Sequence, residues 1–326
     1  MSILVYHYGG LGDFLTVLPL LHNLKKSQSS VKFVQCERTV SVQPGNITLL
    51  GKPYQGILAE HAGLVERTLN ADSSLFLPLF KENNPQEKIE KLLEGFNSIL
   101  FFSSKGSQLF NNIVKLNSIT GVYQNPFPPI RKHIIDYHLS LLETHDSSKC
   151  DNFVINIPEY LKNSVTHFFS NNKKTAVLSP GSGSSRKNWS FENFLELKKI
   201  LNKKGITTIW ITGPAEQNLK CPESDVVISN MDLPHLAALL SLCDIYIGND
   251  SGTTHLAAIC GSAVIAIFGP SDPEIWSPRG KKVHILYKSP PCGPCHPGKP
   301  KINCDHSCLQ SVSPKEVADK AESIIN

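Results

Sequence analysis

The chain lacks any apolar run long enough to cross a bilayer: stretches such as LFLPLF and AVIAIFG fall far short of the roughly 20 residues a spanning helix needs. It also lacks the basic region, apolar core and small-residue cleavage site of a secretory leader, because Asp13 interrupts the first helical stretch and Lys25 and Lys26 follow it. A cytoplasmic protein is the expectation. Low-complexity tracts are missing too. So is a dominant charge: 32 Lys and Arg against 28 Asp and Glu leave a formal +4, and the basic residues are scattered. That excludes the electrostatic footprint of a nucleic-acid-binding protein. It suits an anionic small molecule, or peripheral contact with an anionic membrane surface.

What is present is alternation. At 326 residues two domains are expected. Short apolar runs alternate with helical patterns, the sequence form of an α/β protein with parallel sheets covered by helices. In the first half SILVYHY, VKFVQC, SSLFLPLF, SILFFS and ITGVYQ read as strands, and PQEKIEKLLEGF and HIIDYHLSLLET as helices. A polar, aperiodic stretch at 143–152 reads as a linker, which divides the chain into domains 1–152 and 153–326. The second half gives AVLSPG, TTIWITGP, DVVIS, IYIGND, AVIAIFG and KVHILY as strands. Helices lie between them, the first started by Ser190 and ended by Gly205. Two doubly wound domains follow, with chemistry sought in the loops after strand ends.

Three such loops stand out. In HYGGLGDF, Gly10, Leu11, Gly12 and Asp13 occupy the turn from the first strand into a helix. A dinucleotide fingerprint needs a third glycine where Leu15 stands, and Asp13 puts a carboxylate where a pyrophosphate would sit at the helix N-terminus. Asp13 is either a helix cap or a base placed to take a proton from a sugar hydroxyl. In LSPGSGSSRKNW, Ser182, Gly183 and Lys187 form an anion cradle, with a solvated Ser/Gly linker as the alternative. In IYIGNDSGTTHLAA, Asp250, Ser251, Gly252, Thr253, Thr254 and His255 bring hydroxyls and free N–H groups to a helix start; a packed His255 is the plainer alternative. Glu216 in ITGPAEQ can take both hydroxyls of a ribose, and Met231 either borders a base or fills a core gap.

Taken in order, GLGDFLTVLP, PGSGSSRKNW, TGPAEQ, NDSGTTHLAA and FGPSDP with its following tryptophan resemble glycosyltransferase family 9, the bacterial heptosyltransferase-like enzymes. The resemblance implies a GT-B architecture, two Rossmann-like domains facing across a cleft, with the acceptor on the first and a nucleotide-sugar on the second. It implies inverting transfer of a heptose from an ADP-sugar to a lipid-linked glycan of lipopolysaccharide core, by a monomer needing no catalytic metal. Asp13 then falls on the catalytic base and Lys187 on the phosphate-contacting lysine. Ser182 and Gly183 fall on the turn before it, Glu216 on the ribose acid, Met231 on the adenine side, and 250–255 on the donor block. An arginine often precedes the glycine loop in the family; here His7 and Tyr8 stand there, which implies a different acceptor.

Four of nine cysteines cluster as Cys292, Cys295, Cys304 and Cys308. In a cytosolic chain they suggest a structural zinc, with His296 or His306 as substitutes, against reduced thiols or paired disulfides. Rival functions are a non-hydrolysing sugar-nucleotide epimerase, which needs an acid/base pair not seen here, and a non-catalytic nucleotide-sugar-binding module. An NAD enzyme is disfavoured by the missing glycine.

Overall fold

The computed structural model describes residues 2–27, 30–35, 38–43, 45–82, 85–143, 153–169, 173–213, 216, 219, 221–222, 225–295, 304 and 307–325. The chain divides into two compact units, Met1–Cys150 and Asp151–Asn326. The stretch read as a linker lies, from residue 144 on, outside the described residues.

In the first unit the strands are β1 (Ser2–His7), β2 (Val31–Gln35), β3 (Arg38–Val42), β4 (Asn46–Gly51), β5 (Arg67–Asn70), β6 (Ser98–Phe102) and β7 (Thr120–Gln124). Five of them form one sheet in the order β5-β4-β1-β6-β7, parallel throughout. β6 is buried along its whole length, as expected of a strand covered on both faces. Two readings are corrected here. SSLFLPLF is not a strand but a 3-10 helix, Ser74–Leu79, started by Ser73, whose hydroxyl accepts from Leu75 N, and carrying Pro78. VKFVQC is a strand, but it pairs antiparallel with β3 in a separate hairpin and not in the parallel sheet.

The second unit carries β8 (Thr175–Ser179), β9 (Thr207–Thr212), β10 (Val226–Ser229), β11 (Ile245–Asn249), β12 (Val264–Phe268) and β13 (Val283–Tyr287), in the order β10-β9-β8-β11-β12-β13 and again all parallel. All six expected strands are there. TAVLS, IYIGN and VIAIF are buried at every position. Trp189, Phe194, Leu197, Leu201 and Trp210 pack on them from one side, joined by Val317, Ala318 and Ala321 of the C-terminal helix Pro314–Ile325. The helix Phe191–Lys203 is capped by Ser190, which accepts from Asn193 N at 3.2 Å, and Gly205 follows it in the left-handed region at φ +79°. Among the described residues no helix is long and apolar enough to cross a membrane.

Candidate active site

Both sheets have a point where the chain changes direction of travel across the sheet. In the second unit β8, β9 and β10 step one way and β11, β12 and β13 the other, so the switch lies between β8 and β11. Ligands in doubly wound sheets sit outside the carboxyl ends of strands at that place. Lys187 follows β8 and Asp250 follows β11, and they meet there: Lys187 Nζ stands 2.8 Å from Asp250 Oδ2. Asp250 is buried and Lys187 half-exposed, so a buried carboxylate holds the charge of an ammonium that still reaches solvent.

The loops are stapled from beneath by Asn249, which is fully buried. Its Oδ1 accepts from Trp189 N at 2.9 Å and its Nδ2 donates to Pro180 O at 2.7 Å, joining both flanks of the 180–189 turn to the end of β11. The Ser182 hydroxyl is held within this turn, close to Ser184 O (2.8 Å) and Asn188 Oδ1 (2.6 Å), and accepts from Ser184 N. The Ser182 hydroxyl is thus engaged within the turn itself. Among the described residues, its chain neighbours aside, nothing lies within 4 Å of where a Gly183 side chain would point, which leaves that backbone open to approach.

Ser251 caps the helix Gly252–Ile259 by accepting from Thr254 N, and the Thr254 hydroxyl donates to Asn249 O. Those hydroxyls are committed to the fold. Gly252 and Thr253 carry the remaining N–H groups of the helix start, where the helix dipole favours an anion. His255 is buried in this turn.

Glu216 is brought to the same place. A side chain at Gly181 would lie 2.0 Å from the Glu216 carboxyl carbon, so glycine is what lets the two approach, and Gly213 N donates to Glu216 Oε2 at 2.8 Å. Met231 follows β10 on the same carboxyl edge, half-buried, after Asn230 in the left-handed region at φ 58°. Met231, Glu216, Ser182 and Asp250 thus follow four adjacent strands, β10, β9, β8 and β11. The structure brings Gly181, Glu216, Lys187, Asp250 and their turns into contact, while Met231 shares only their edge.

In the first unit the switch lies between β1 and β6, and Asp13 follows β1. Gly10 is the N-cap of the helix Leu11–Lys26, with Leu11 and Gly12 opening its first turn. Asp13 is the third helical residue and not the cap itself: its Oδ2 accepts from Gly10 N at 2.9 Å, the return half of a capping box. The side chain is exposed, so lone pairs remain for a hydroxyl. A side chain on Gly9 would come within 2.9 Å of Asp13 Cβ, so that glycine lets the loop close over the helix start.

Sequence reasoning missed the group that holds this loop. Lys52 Nζ donates to Gly9 O at 3.1 Å, Gln55 Nε2 donates to the same oxygen at 3.2 Å, and the Lys52 ammonium lies 4.9 Å from the centre of the Tyr8 ring. The Tyr8 hydroxyl in turn donates to Asp72. Lys52 follows β4 and Asp72 follows β5, neither of which is among the strands expected from the sequence. His7 does not replace the arginine usual before the loop. It is buried between Phe14 and Phe102, and burial followed by the nearby Lys52 charge pushes its pKa down to about 4. The cation beside the glycine loop is Lys52.

Comparison with protein families matches residues 128–304, more than half of the chain, to Glycosyltransferase family 9 (heptosyltransferase). The chain belongs to glycosyltransferase family 9. Among curated relatives of this family-9 enzyme, lipooligosaccharide heptosyltransferase 2 of Campylobacter jejuni is 24% identical over 338 residues, covering 100% of this chain and 98% of the relative. Among solved structures, E. coli ADP-heptose lps heptosyltransferase II matches with a TM-score of 0.72 at 15% identity, over 100% of this chain and 98% of that one. E. coli heptosyltransferase WaaC with ADP matches at 0.65 and 16%, over 99% and 100%. The family-9 enzyme is a glycosyltransferase with the GT-B fold.

Cys292, Cys295, Cys304 and Cys308 are free thiols, and Cys295 N donates to Pro270 O, which places Cys295 beside the residues that follow β12. Among the described residues no three of His, Cys, Asp and Glu are grouped to hold a metal ion. His296 and His306 lie outside the described residues.

Proposed function

We propose that this family-9 enzyme transfers a heptose from ADP-heptose, with inversion and without a catalytic metal, to a lipid-linked glycan of the lipopolysaccharide core. The observation that carries the reading is the Lys187–Asp250 pair at the second unit's switch point, beside the N–H groups of the Ser251 helix. This is a site for a leaving diphosphate. Lys187 and the helix start take up the charge that develops as the bond to the anomeric carbon breaks. Glu216 receives the ribose hydroxyls and Met231 borders the base.

Asp13 supplies the other half. Its carboxylate takes the proton of an acceptor hydroxyl, whose oxygen attacks the anomeric carbon as the nucleoside diphosphate departs with the bonding electrons. Attack opposite the leaving group inverts the centre. The ADP-bound E. coli structure and the lipooligosaccharide and lps heptosyltransferases among the matches support the choice of donor and acceptor. The enzyme acts as a cytoplasmic monomer in peripheral contact with the membrane that holds its acceptor. A structural zinc at the four cysteines is a separate proposal, which metal analysis returning about one ion per chain supports and metal-free protein with alkylatable thiols overturns.

Thermal denaturation with nucleotides tests the donor site. At about 100 times Kd, ADP or ADP-heptose should stabilise the fold by about 2.7 kcal/mol, a rise of roughly 5–10 °C, with UDP-sugars well below that. No shift with any nucleotide would contradict the reading.

A further inference from the structure

The first unit carries one loop whose construction the glycosyl-transfer site does not use. β7 lies at the edge of its sheet, and the chain leaves it through Asn125, Pro126, Phe127, Pro128, Pro129 and Ile130 before entering the helix Ile134–Leu139. Phe127 is 60% exposed and Ile130 66%, the second being the most exposed large aliphatic side chain among the described residues of this unit.

The loop is stiff. Three prolines fix their backbone φ. Asn125 Oδ1 accepts from Phe127 N at 3.2 Å and sets the turn that precedes the tip. Its two ends are tied together by Gln124, whose Nε2 donates to Tyr137 O at 2.7 Å while its Oε1 meets His138 Nδ1 at 2.7 Å. An aromatic and a branched aliphatic side chain are thus held out in water by a pre-ordered backbone, which lowers the ordering cost of burying them in something else.

Charge identifies that something. Arg131 and Lys132 follow the apolar tip directly. From residue 95 to residue 135 the sequence contains no Asp or Glu, although it carries Lys105, Lys115, Arg131 and Lys132. That segment forms β6, the helix Gln108–Ile113, β7 and the loop, so every Asp/Glu/Lys/Arg side chain in it is cationic. The loop also leaves the carboxyl edge of the parallel sheet, the edge from which Asp13 follows β1. An apolar tip backed by cations matches an anionic lipid surface, with the tip among the acyl chains and the cations at headgroup level.

We infer that the 125–132 loop is a membrane-docking element that inserts Phe127 and Ile130 into an anionic lipid leaflet. Its purpose rests on the lipid-linked acceptor proposed above; its test does not. The full chain is sedimented with vesicles of phosphatidylcholine alone, or mixed with phosphatidylglycerol, at about 0.1 M salt, where charges beyond about 10 Å are screened. The expected result is binding to the anionic vesicles only, reduced at least tenfold by Phe127→Ser with Ile130→Ser, and likewise by Arg131→Gln with Lys132→Gln. Lys88→Gln with Lys91→Gln, the same charge change on an exposed helix elsewhere in the unit, should bind as the parent does. Phe127→Trp should shift its emission to the blue on anionic vesicles and be quenched by brominated acyl chains. All variants should keep the parental thermal shift with ADP, which separates failure of the loop from failure of the donor site.

Three results overturn the inference: no binding to anionic vesicles, equal binding by the loop variants, or an unchanged vesicle affinity in a loop variant that loses a parental dimer. The last would assign the tip to a second copy of the chain.

Discussion

Gly181 and Lys187 are the residues at which the proposed donor site is most sharply tested. Gly181→Ala places a methyl 2.0 Å from the Glu216 carboxyl carbon and must drive that side chain from the turn. Loss of hydrogen bonds from a charged group costs about 1.5–3 kcal/mol, so the Kd for ADP should rise about 10- to 100-fold by titration calorimetry, with the fold intact. Lys187→Gln behaves differently. In the proposed reaction its charge answers the one that develops on the leaving diphosphate, so kcat should fall about 10²–10³-fold while KM for the donor changes far less. A raised KM with unchanged kcat would make Lys187 a binding residue only. The sequence carried Lys187, Glu216 and Asp250 plainly, because each follows a strong apolar strand. It did not show that Asp250 anchors Lys187 or that Gly181 admits Glu216, since those contacts join loops 63 and 35 positions apart.

The elements differ in how far pattern announced them. The second unit's strands were legible because β8, β11 and β12 are buried on both faces and read as unbroken apolar runs. In the first unit β5 is four residues of half-exposed edge strand, RTLN, with no periodic signal, and β4 was passed over. That omission hid Lys52, whose place beside Gly9 follows from β4 pairing with β1. SSLFLPLF misled because a short apolar run fits a strand or a helical turn equally, and Ser73 with Pro78 decides for the turn.

Two elements of the first unit share a pH-sensitive core. His7 on β1 and His138 on the helix Ile134–Leu139 both contact Phe102, and burial lowers their pKa values to about 4 and about 3. In the unfolded chain they protonate near 6.5. Between that value and about 4 the unfolded state binds more protons than the folded one, so stability is complete above pH 6.5 and falls as pH drops. The loss is up to about 1.4 kcal/mol per pH unit for each histidine. Urea midpoints measured from pH 7.5 to 4.5 should decline, and His7→Phe should flatten that decline. In the second unit, Asn249→Ala strips partners from Trp189 N and Pro180 O, at about 1–3 kcal/mol for each group left buried. A lower urea midpoint, together with weaker ADP binding, would show that this side chain both holds the fold and shapes the site.

At the scale of the whole molecule the two units divide the proposed reaction. In that proposal the second binds a nucleotide-sugar through backbone N–H groups, Lys187 and the Glu216 carboxylate. The first presents a carboxylate at a helix start, stabilised there by the Gly10 N–H that a dinucleotide-binding loop would turn toward phosphate. The most direct test is single-turnover transfer from ADP-heptose to a lipid-linked core acceptor by the parent and by Asp13→Asn, with ADP affinity measured on both. The parent should transfer the sugar, Asp13→Asn should lose about 10²–10⁴-fold, and the two should bind ADP with equal affinity. Near-parental turnover by Asp13→Asn would contradict the proposed role of Asp13.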